Sequence, residues 1–453
     1  MQSDEVKLIE DANTRSINYL TKVAIQRVFP TQSTLDSLLK FDESLPEVGY
    51  SGKDVLEFLD EFGSPATVMS NGPRYFGYVV GASLPAAAAA DRLISTWDQS
   101  GFSPVVEAIE KTAARWILDI LDLPRSSTVG FGTSATACSL GCIATARRVI
   151  LQRAGWDIDK KGLVGSPEIS VVVSERIHVT LLKTLRILGF GENSIYKAPT
   201  DRFGRVDPEK IPYLDDKTIL CLQAGEVNTG EFDPFLDIIP KAKAVGSWVH
   251  IDGAFGLWAR TSSKHRYLTE GIELADSWTT DGHKWLNTPY DSAASICKDA
   301  NAFINTMNSD ASYVIPSYEA QRNLTLEFSR KARGILIWAV LRNLGRLGVA
   351  SMIDKNIEQA KKVALALTRE GFEVLNRTVL NQVLVRCADD LATNYVREFV
   401  ERSGEAWFGS TVWDGRAAFR LSFSSWRTND EDINQLIIVL TKAYRSYENS
   451  IKR

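Results

Sequence analysis

Asp252 and Lys284, with His250 and His283 beside them in a chain of only four histidines, are the residues whose types suggest chemistry. Asp252 closes W-V-H-I-D, in which β-branched Val249 and Ile251 alternate with His250 and Asp252 as they would along a strand. The glycine-punctuated loop Gly253-Ala254-Phe255-Gly256 follows. A second short strand, 277–280, delivers Asp281, His283 and Lys284 into another loop. In an open α/β sheet, the carboxyl ends of strands are where ligands bind. A carboxylate at one strand end and a lysine at another meet the needs of pyridoxal-phosphate chemistry. The amine holds the cofactor aldehyde, and the carboxylate keeps the pyridine nitrogen protonated so that the ring takes up electrons. Either residue alone reads better as a strand-end cap or a solvated lysine. The two together, flanked by histidines, reverse that preference.

These stretches carry a family resemblance. H-I-D-G-A-F-G and D-G-H-K-W-L-N resemble the H-x-D-A-A and x-x-H-K-W signatures of the group II pyridoxal-phosphate decarboxylases, the glutamate, aromatic-amino-acid and histidine decarboxylase relatives within the aspartate-aminotransferase fold type I. The resemblance runs from about residue 73 to the C-terminus and is most specific at H-K-W. It implies decarboxylation of an L-amino acid with pyridoxal 5'-phosphate in a homodimer with active sites at the interface. Lys284 is then the cofactor lysine, Asp252 the partner of the pyridinium nitrogen, and Ala254 a small face for the ring, with His283 at the phosphate or the reacting centre. Asp281 departs from the asparagine of several relatives. A carboxylate beside a phosphate is repulsive unless it is paired or turned away, and its role stays open. An aminotransferase or carbon–carbon lyase on the same scaffold, or a cofactor-binding protein without catalysis, remains an alternative.

The elements that position these groups follow in order. Residues 73–85, P-R-Y-F-G-Y-V-V-G-A-S-L-P, interleave aromatics with glycines; Phe76 and Tyr78 are either core or, by resemblance, substrate contacts. In 129–147 a short strand runs into Gly132-Thr133-Ser134-Ala135 and a helix of small residues. That is an N-cap and an anion site in one, and the resemblance makes Thr133, Ser134 and Ala135 the phosphate loop. His178 lies just past a strand end, where similar enzymes stack an imidazole on the pyridine ring and a proton donor is needed. Asn228 and Thr229, in the loop after the strand at 218–223, are placed to reach the ring hydroxyl or the phosphate. Residues 309–323 form a long polar stretch without periodicity. The resemblance places a mobile loop with a proton-donating tyrosine there, matched by Tyr318 with Tyr313 as runner-up; Tyr313 is also a candidate substrate contact. Arg333, at the start of a long helix, and Arg420, on a C-terminal strand, are candidate ligands for a substrate carboxylate or plain ion-pair partners. The aromatic residues lean toward an aromatic or bulky substrate.

The β-α alternation over 125–300 implies an α/β fold with a mainly parallel doubly wound sheet, followed by a small α+β domain. The expected divisions are an N-terminal helical segment at 1–83, dimerising by resemblance, a large domain at 84–340 and a small domain at 341–453. With 52 basic against 56 acidic residues and a net charge of −4, nothing electrostatic favours nucleic acid or an anionic membrane. No apolar run stands out as a membrane span or signal peptide. Five cysteines without a C-x-x-C pair suggest reduced core residues of a cytoplasmic protein, and no metal is expected.

Overall fold

Short apolar runs bounded by glycine, proline or acidic residues become the strands of this chain. The computed structural model describes residues 2–99, 103–308 and 320–451. The chain divides into two compact units, one of Ser83–Lys361 with Leu375–Val383, the other of Met1–Ala82, Lys362–Val374 and Leu384–Arg453.

The first unit is built on seven strands: β1 (Thr128–Gly132), β2 (Ser170–Ser174), β3 (Ile195–Ala198), β4 (Thr218–Gln223), β5 (Trp248–Asp252), β6 (Ser277–Asp281) and β7 (Ala293–Cys297). Their order is β1-β7-β6-β5-β4-β2-β3. The pairs β2–β3, β2–β4, β4–β5 and β5–β6 are parallel, and only β7 runs antiparallel to its neighbours β1 and β6. The mainly parallel sheet expected from the β-α alternation is present. β7 is reversed because the chain between it and β6 contains no crossover helix, so it returns as a hairpin. That hairpin carries Lys284 out of the carboxyl end of β6.

β4 is buried at every position, as a strand covered on both faces must be. The helix Ala135–Arg153 shares one core cluster with the sheet, packing Ile143, Ala146 and Ile150 with Val171, Val173, Ile219 and Cys221. Truncating a side chain such as Ile219 to alanine there costs about 2–5 kcal/mol.

In the second unit, β8 (Glu373–Val374), β9 (Gln382–Arg386), β10 (Gly409–Trp413) and β11 (Arg416–Ser422) form a sheet in the order β10-β11-β9-β8. Asp414 and Gly415, both at positive φ, make the two-residue turn between β10 and β11. The N-terminal segment is not separate. It belongs to the same unit as the C-terminal strands: the Val28 N–H donates to Gly404 at 2.8 Å, and Phe76 both donates to Trp407 and accepts from Ser422 at 2.8 Å.

The division expected at 340/341 falls inside the helix Gly334–Arg369. Val349, Ile353, Ile357, Ala360 and Leu367 are all fully buried at helical spacing, so the helix runs on past the expected boundary. It is interrupted only at Gly345, whose φ of 61° and ψ of −178° are non-helical. Part of this helix is long and apolar enough to cross a bilayer, although 44% of that stretch is buried inside the protein. The sequence did not make that run evident.

Candidate active site

The register of the sheet aligns the residues singled out in the sequence. Gln223 of β4 pairs with Asp252 of β5, which pairs with Thr279 of β6 two residues before Asp281. The two loops beyond these strand ends are tied together. The Asp281 N–H donates to Ala254 at 2.9 Å, and the Gly253 N–H donates to Thr279 at 3.0 Å. The Asp252 carboxylate accepts the Ala254 N–H at 3.1 Å and is only partly buried. His250 lies within the strand, fully buried, with Nδ1 2.9 Å from the Ser277 hydroxyl. Burial pushes its pKa down to about 4 against a weaker upward pull from Asp252, so it is a neutral core imidazole near pH 7.

Asp281 is the hub. Only 3% exposed, it accepts the Ala135 N–H at 2.6 Å, faces the Lys284 ammonium at 3.4 Å and lies 3.7 Å from His283 Nε2. Lys284 Nζ also stands 5.9 Å above the Phe255 ring. The His283 ring stacks on Tyr290 with centroids 4.4 Å apart, and its Nδ1 accepts the Ser292 N–H at 3.3 Å. A ring nitrogen that accepts a main-chain N–H must offer its lone pair, so the proton of neutral His283 sits on Nε2, toward Asp281. Burial lowers the pKa of His283, Asp281 opposing it.

Ser134 is the N-cap of the helix Ala135–Arg153, its hydroxyl accepting the Ala137 N–H at 3.3 Å, and Thr133 precedes it half-buried. The small side chains at this N-terminus leave backbone N–H groups and the helix dipole facing Asp281. His178 caps the helix Val179–Ile187, which follows β2. Its Nδ1 lies 2.7 Å from the Thr180 hydroxyl and accepts the Thr180 N–H at 3.4 Å, while its own N–H donates to Gln223, the register partner of Asp252, at 3.2 Å.

Other candidates have hydrogen-bond or ion-pair partners of their own. Asn228 and Thr229 are turned onto Glu226, whose carboxylate accepts both their N–H groups at 2.7 Å, the Asn228 amide at 3.0 Å and the Thr229 hydroxyl at 3.0 Å. Burial raises the pKa of Glu226 and these bonds pull it back. The sequence analysis missed Glu226, although a carboxylate two and three residues before Asn-Thr is a turn signature. Arg333 pairs with Glu327 at 3.7 Å, the plain alternative for that residue. Phe76 and Tyr78 belong to the other unit. Phe76 is 1% exposed and packs on Phe423, the core alternative for that residue. Tyr78 is exposed, packs against Trp407, and has the Arg420 guanidinium 5.9 Å from its ring centroid. Tyr313 and Tyr318 lie outside the described residues. Among the described residues no group of acids, histidines and cysteines is arranged to hold a metal ion.

The donor set suits pyridoxal 5'-phosphate. Lys284 offers the amine for an aldehyde, Asp252 a half-exposed carboxylate for a ring nitrogen, Ala254 a small face, and Thr133-Ser134-Ala135 a capped helix N-terminus for a phosphate.

Comparison with known proteins agrees. The family described as the pyridoxal-dependent decarboxylase conserved domain matches residues 36–387. The L-2,4-diaminobutyrate decarboxylase of Rhizobium meliloti (strain 1021) is 27% identical over 441 residues, covering 90% of this chain and 85% of that protein. The aromatic-L-amino-acid decarboxylase of Bacillus atrophaeus is 25% identical over 441 residues, covering 90% and 89%. Among solved structures, Oryza sativa TDC with PLP and tryptamine superposes with a TM-score of 0.90 at 20% identity, covering 99% of each chain. Mouse CSAD does so at 0.88 and 20%, covering 96% of this chain and 98% of the other; at such identity these likenesses speak to the fold alone. The matched family, the fold-type-I sheet and the lysine, acid and helix N-terminus at its carboxyl edge together place this chain in the pyridoxal-dependent decarboxylase family, as a carboxy-lyase that uses pyridoxal 5'-phosphate to release CO2 from an amino acid.

Proposed function

We propose that this enzyme converts an aromatic L-amino acid to its amine, in the cytoplasm and as a homodimer. The observation that carries the site assignment is the alignment of Asp252 and the Lys284 loop on adjacent strands, β5 and β6, beside the capped N-terminus at Ala135. Pyridoxal 5'-phosphate, when bound, supplies an electron-accepting ring that takes up the pair left by the departing carboxylate. Lys284 holds the cofactor through its amine. Asp252 keeps a proton on the ring nitrogen, and Thr133, Ser134 and Ala135 hold the phosphate. His178 would face the ring and offer a hydrogen-bond donor to the substrate. Tyr318, with Tyr313 as the runner-up, returns the proton to the substrate carbon.

Aromatic specificity draws support from the names of relatives such as the Bacillus atrophaeus enzyme and a tryptophan decarboxylase of Oryza sativa subsp. japonica. The Rhizobium meliloti relative supports a second possibility, a short diamino acid. CO2 release measured over tryptophan, tyrosine, phenylalanine, glutamate and 2,4-diaminobutyrate separates the two. Turnover of the aromatic acids alone supports the proposal, and turnover of 2,4-diaminobutyrate alone replaces it. Lys284→Ala should abolish the visible absorbance of bound cofactor and reduce turnover by several orders of magnitude. Turnover at the wild-type rate in that variant would remove Lys284 from its role.

A further inference from the structure

A buried carboxylate sits where an anion is expected. The Ala135 N–H, at the start of the helix Ala135–Arg153, donates to Asp281 Oδ1 at 2.6 Å, a short charge-assisted bond reinforced by the positive end of the helix dipole. Ser134, the N-cap, spends its hydroxyl on the Ala137 N–H. The same Asp281 holds the Lys284 ammonium at 3.4 Å with its other oxygen, Oδ2. It is 3% exposed and fixed from behind by its main chain, the N–H donating to Ala254 and the carbonyl accepting the Trp258 indole N–H at 3.2 Å. The carboxylate thus meets both the donor proposed for the cofactor phosphate and the amine proposed for its aldehyde.

We propose that Asp281 is a built-in competitor of the cofactor phosphate, which weakens cofactor binding and keeps it exchangeable. This rests on the site assignment given under Proposed function. A phosphate arriving at this N-terminus meets a like charge that holds one of its donors. Binding therefore requires Asp281 to give up the Ala135 N–H and to be left beside a second anion, at a site too dry for water to screen the two. The affinity for any phosphate-bearing ligand is lowered, while a ligand without the phosphate does not meet this penalty. The family resemblance implies the same difficulty, since it sets Asp281 where several relatives carry asparagine.

The test is cofactor binding to the full-length apoprotein, followed by quenching of tryptophan fluorescence and by equilibrium dialysis. The probes are pyridoxal 5'-phosphate, pyridoxal and inorganic phosphate. Asp281→Asn should tighten inorganic phosphate by about tenfold and should tighten pyridoxal 5'-phosphate about tenfold more than pyridoxal, whose own change reports only the released Lys284 amine. Equal affinities for pyridoxal 5'-phosphate in the two proteins, or equal tightening of pyridoxal, would overturn the proposal. If Asp281→Asn does not fold, Asp281→Ser carries the same expectation. If neither protein bound pyridoxal 5'-phosphate at all, the cofactor assignment itself would fail and this inference with it. If both bound it alike, only the inference would.

Discussion

At the scale of single residues, two histidines that look equivalent in the sequence are set in opposite ways. His250 faces Ser277 inside the sheet and is kept neutral by burial. His178 caps a helix and is governed by Thr180, whose N–H fixes the lone pair on Nδ1 and so the proton on Nε2 of the neutral ring. Thr180 is therefore a positioning residue for His178. Removing its hydroxyl in Thr180→Val gives up one hydrogen bond worth about 1 kcal/mol, which corresponds to a roughly fivefold fall in kcat. KM should change little, and Thr180→Ser should restore kcat. Long-range proton–nitrogen spectra should show His178 keeping its single tautomer in both variants, because the main-chain N–H at position 180 is retained, so that the fall in kcat reports the lost hydroxyl contact. An unchanged kcat in the valine variant would detach the Thr180 hydroxyl from the reaction. H-x-T was present in the sequence, but nothing there shows that an imidazole takes the place of a serine or aspartate as a cap.

At the scale of elements, β4 and β5 bring together two buried groups with opposite responses to pH. Asp233 accepts the Val206 and Gln223 N–H groups at 2.8 and 2.7 Å, and burial, aided by Glu226 and Asp201, pushes its pKa up to about 6. Its folded pKa exceeds its unfolded one, so its contribution to stability is present at low pH and is lost as pH rises from about 4 to 6. His250 has a folded pKa of about 4, below its ordinary value of 6.5, with Asp252 the charge that faces it. Its contribution is present above pH 6.5 and is lost as pH falls toward 4. Each effect is on the order of 3 kcal/mol, and over pH 4 to 6 they oppose each other. Asp233→Asn should leave a melting temperature that rises with pH across this window, and His250→Phe one that falls. Slopes of the same sign in the two variants would refute the pairing.

The strands themselves were legible, because β-branched alternation and unbroken apolar runs are local properties. The H-I-D and H-K-W loops were legible for the same reason. Pairings between distant residues were not. Arg330 and Glu110 form an ion pair that is fully buried, with a 2.9 Å bond across 220 positions, and no local pattern announces it. The division expected at 340/341 falls within the helix Gly334–Arg369 because the burial of Val349, Ile353 and Ile357 that carries the helix on is a tertiary property.

At the scale of the whole molecule, the N-terminal segment raises a question that one chain does not answer. In the helix Gln2–Lys22, Val6, Ile9, Ile17 and Leu20 recur at helical spacing and remain 39–56% exposed. Leu39, Leu45, Val48, Val55 and Leu59 extend the exposed apolar surface of the same segment. Apolar side chains left uncovered in this number suit an interaction site, and the interface of a stable dimer buries about 1,200–2,000 Å² or more. A second copy of this chain is the proposed occupant, in keeping with the expectation of a homodimer. Sedimentation at micromolar concentration should give twice the monomer mass for the wild type. Placing charges within the stripe, as in the double variant Ile9→Glu, Ile17→Glu, removes apolar contact and sets buried carboxylates against the partner, so the complex should dissociate. Circular dichroism should stay unchanged, since both side chains already face solvent in the isolated chain. A wild type that sediments as a monomer, or a double variant that remains dimeric, would move the dimer interface elsewhere and leave this apolar surface to another partner.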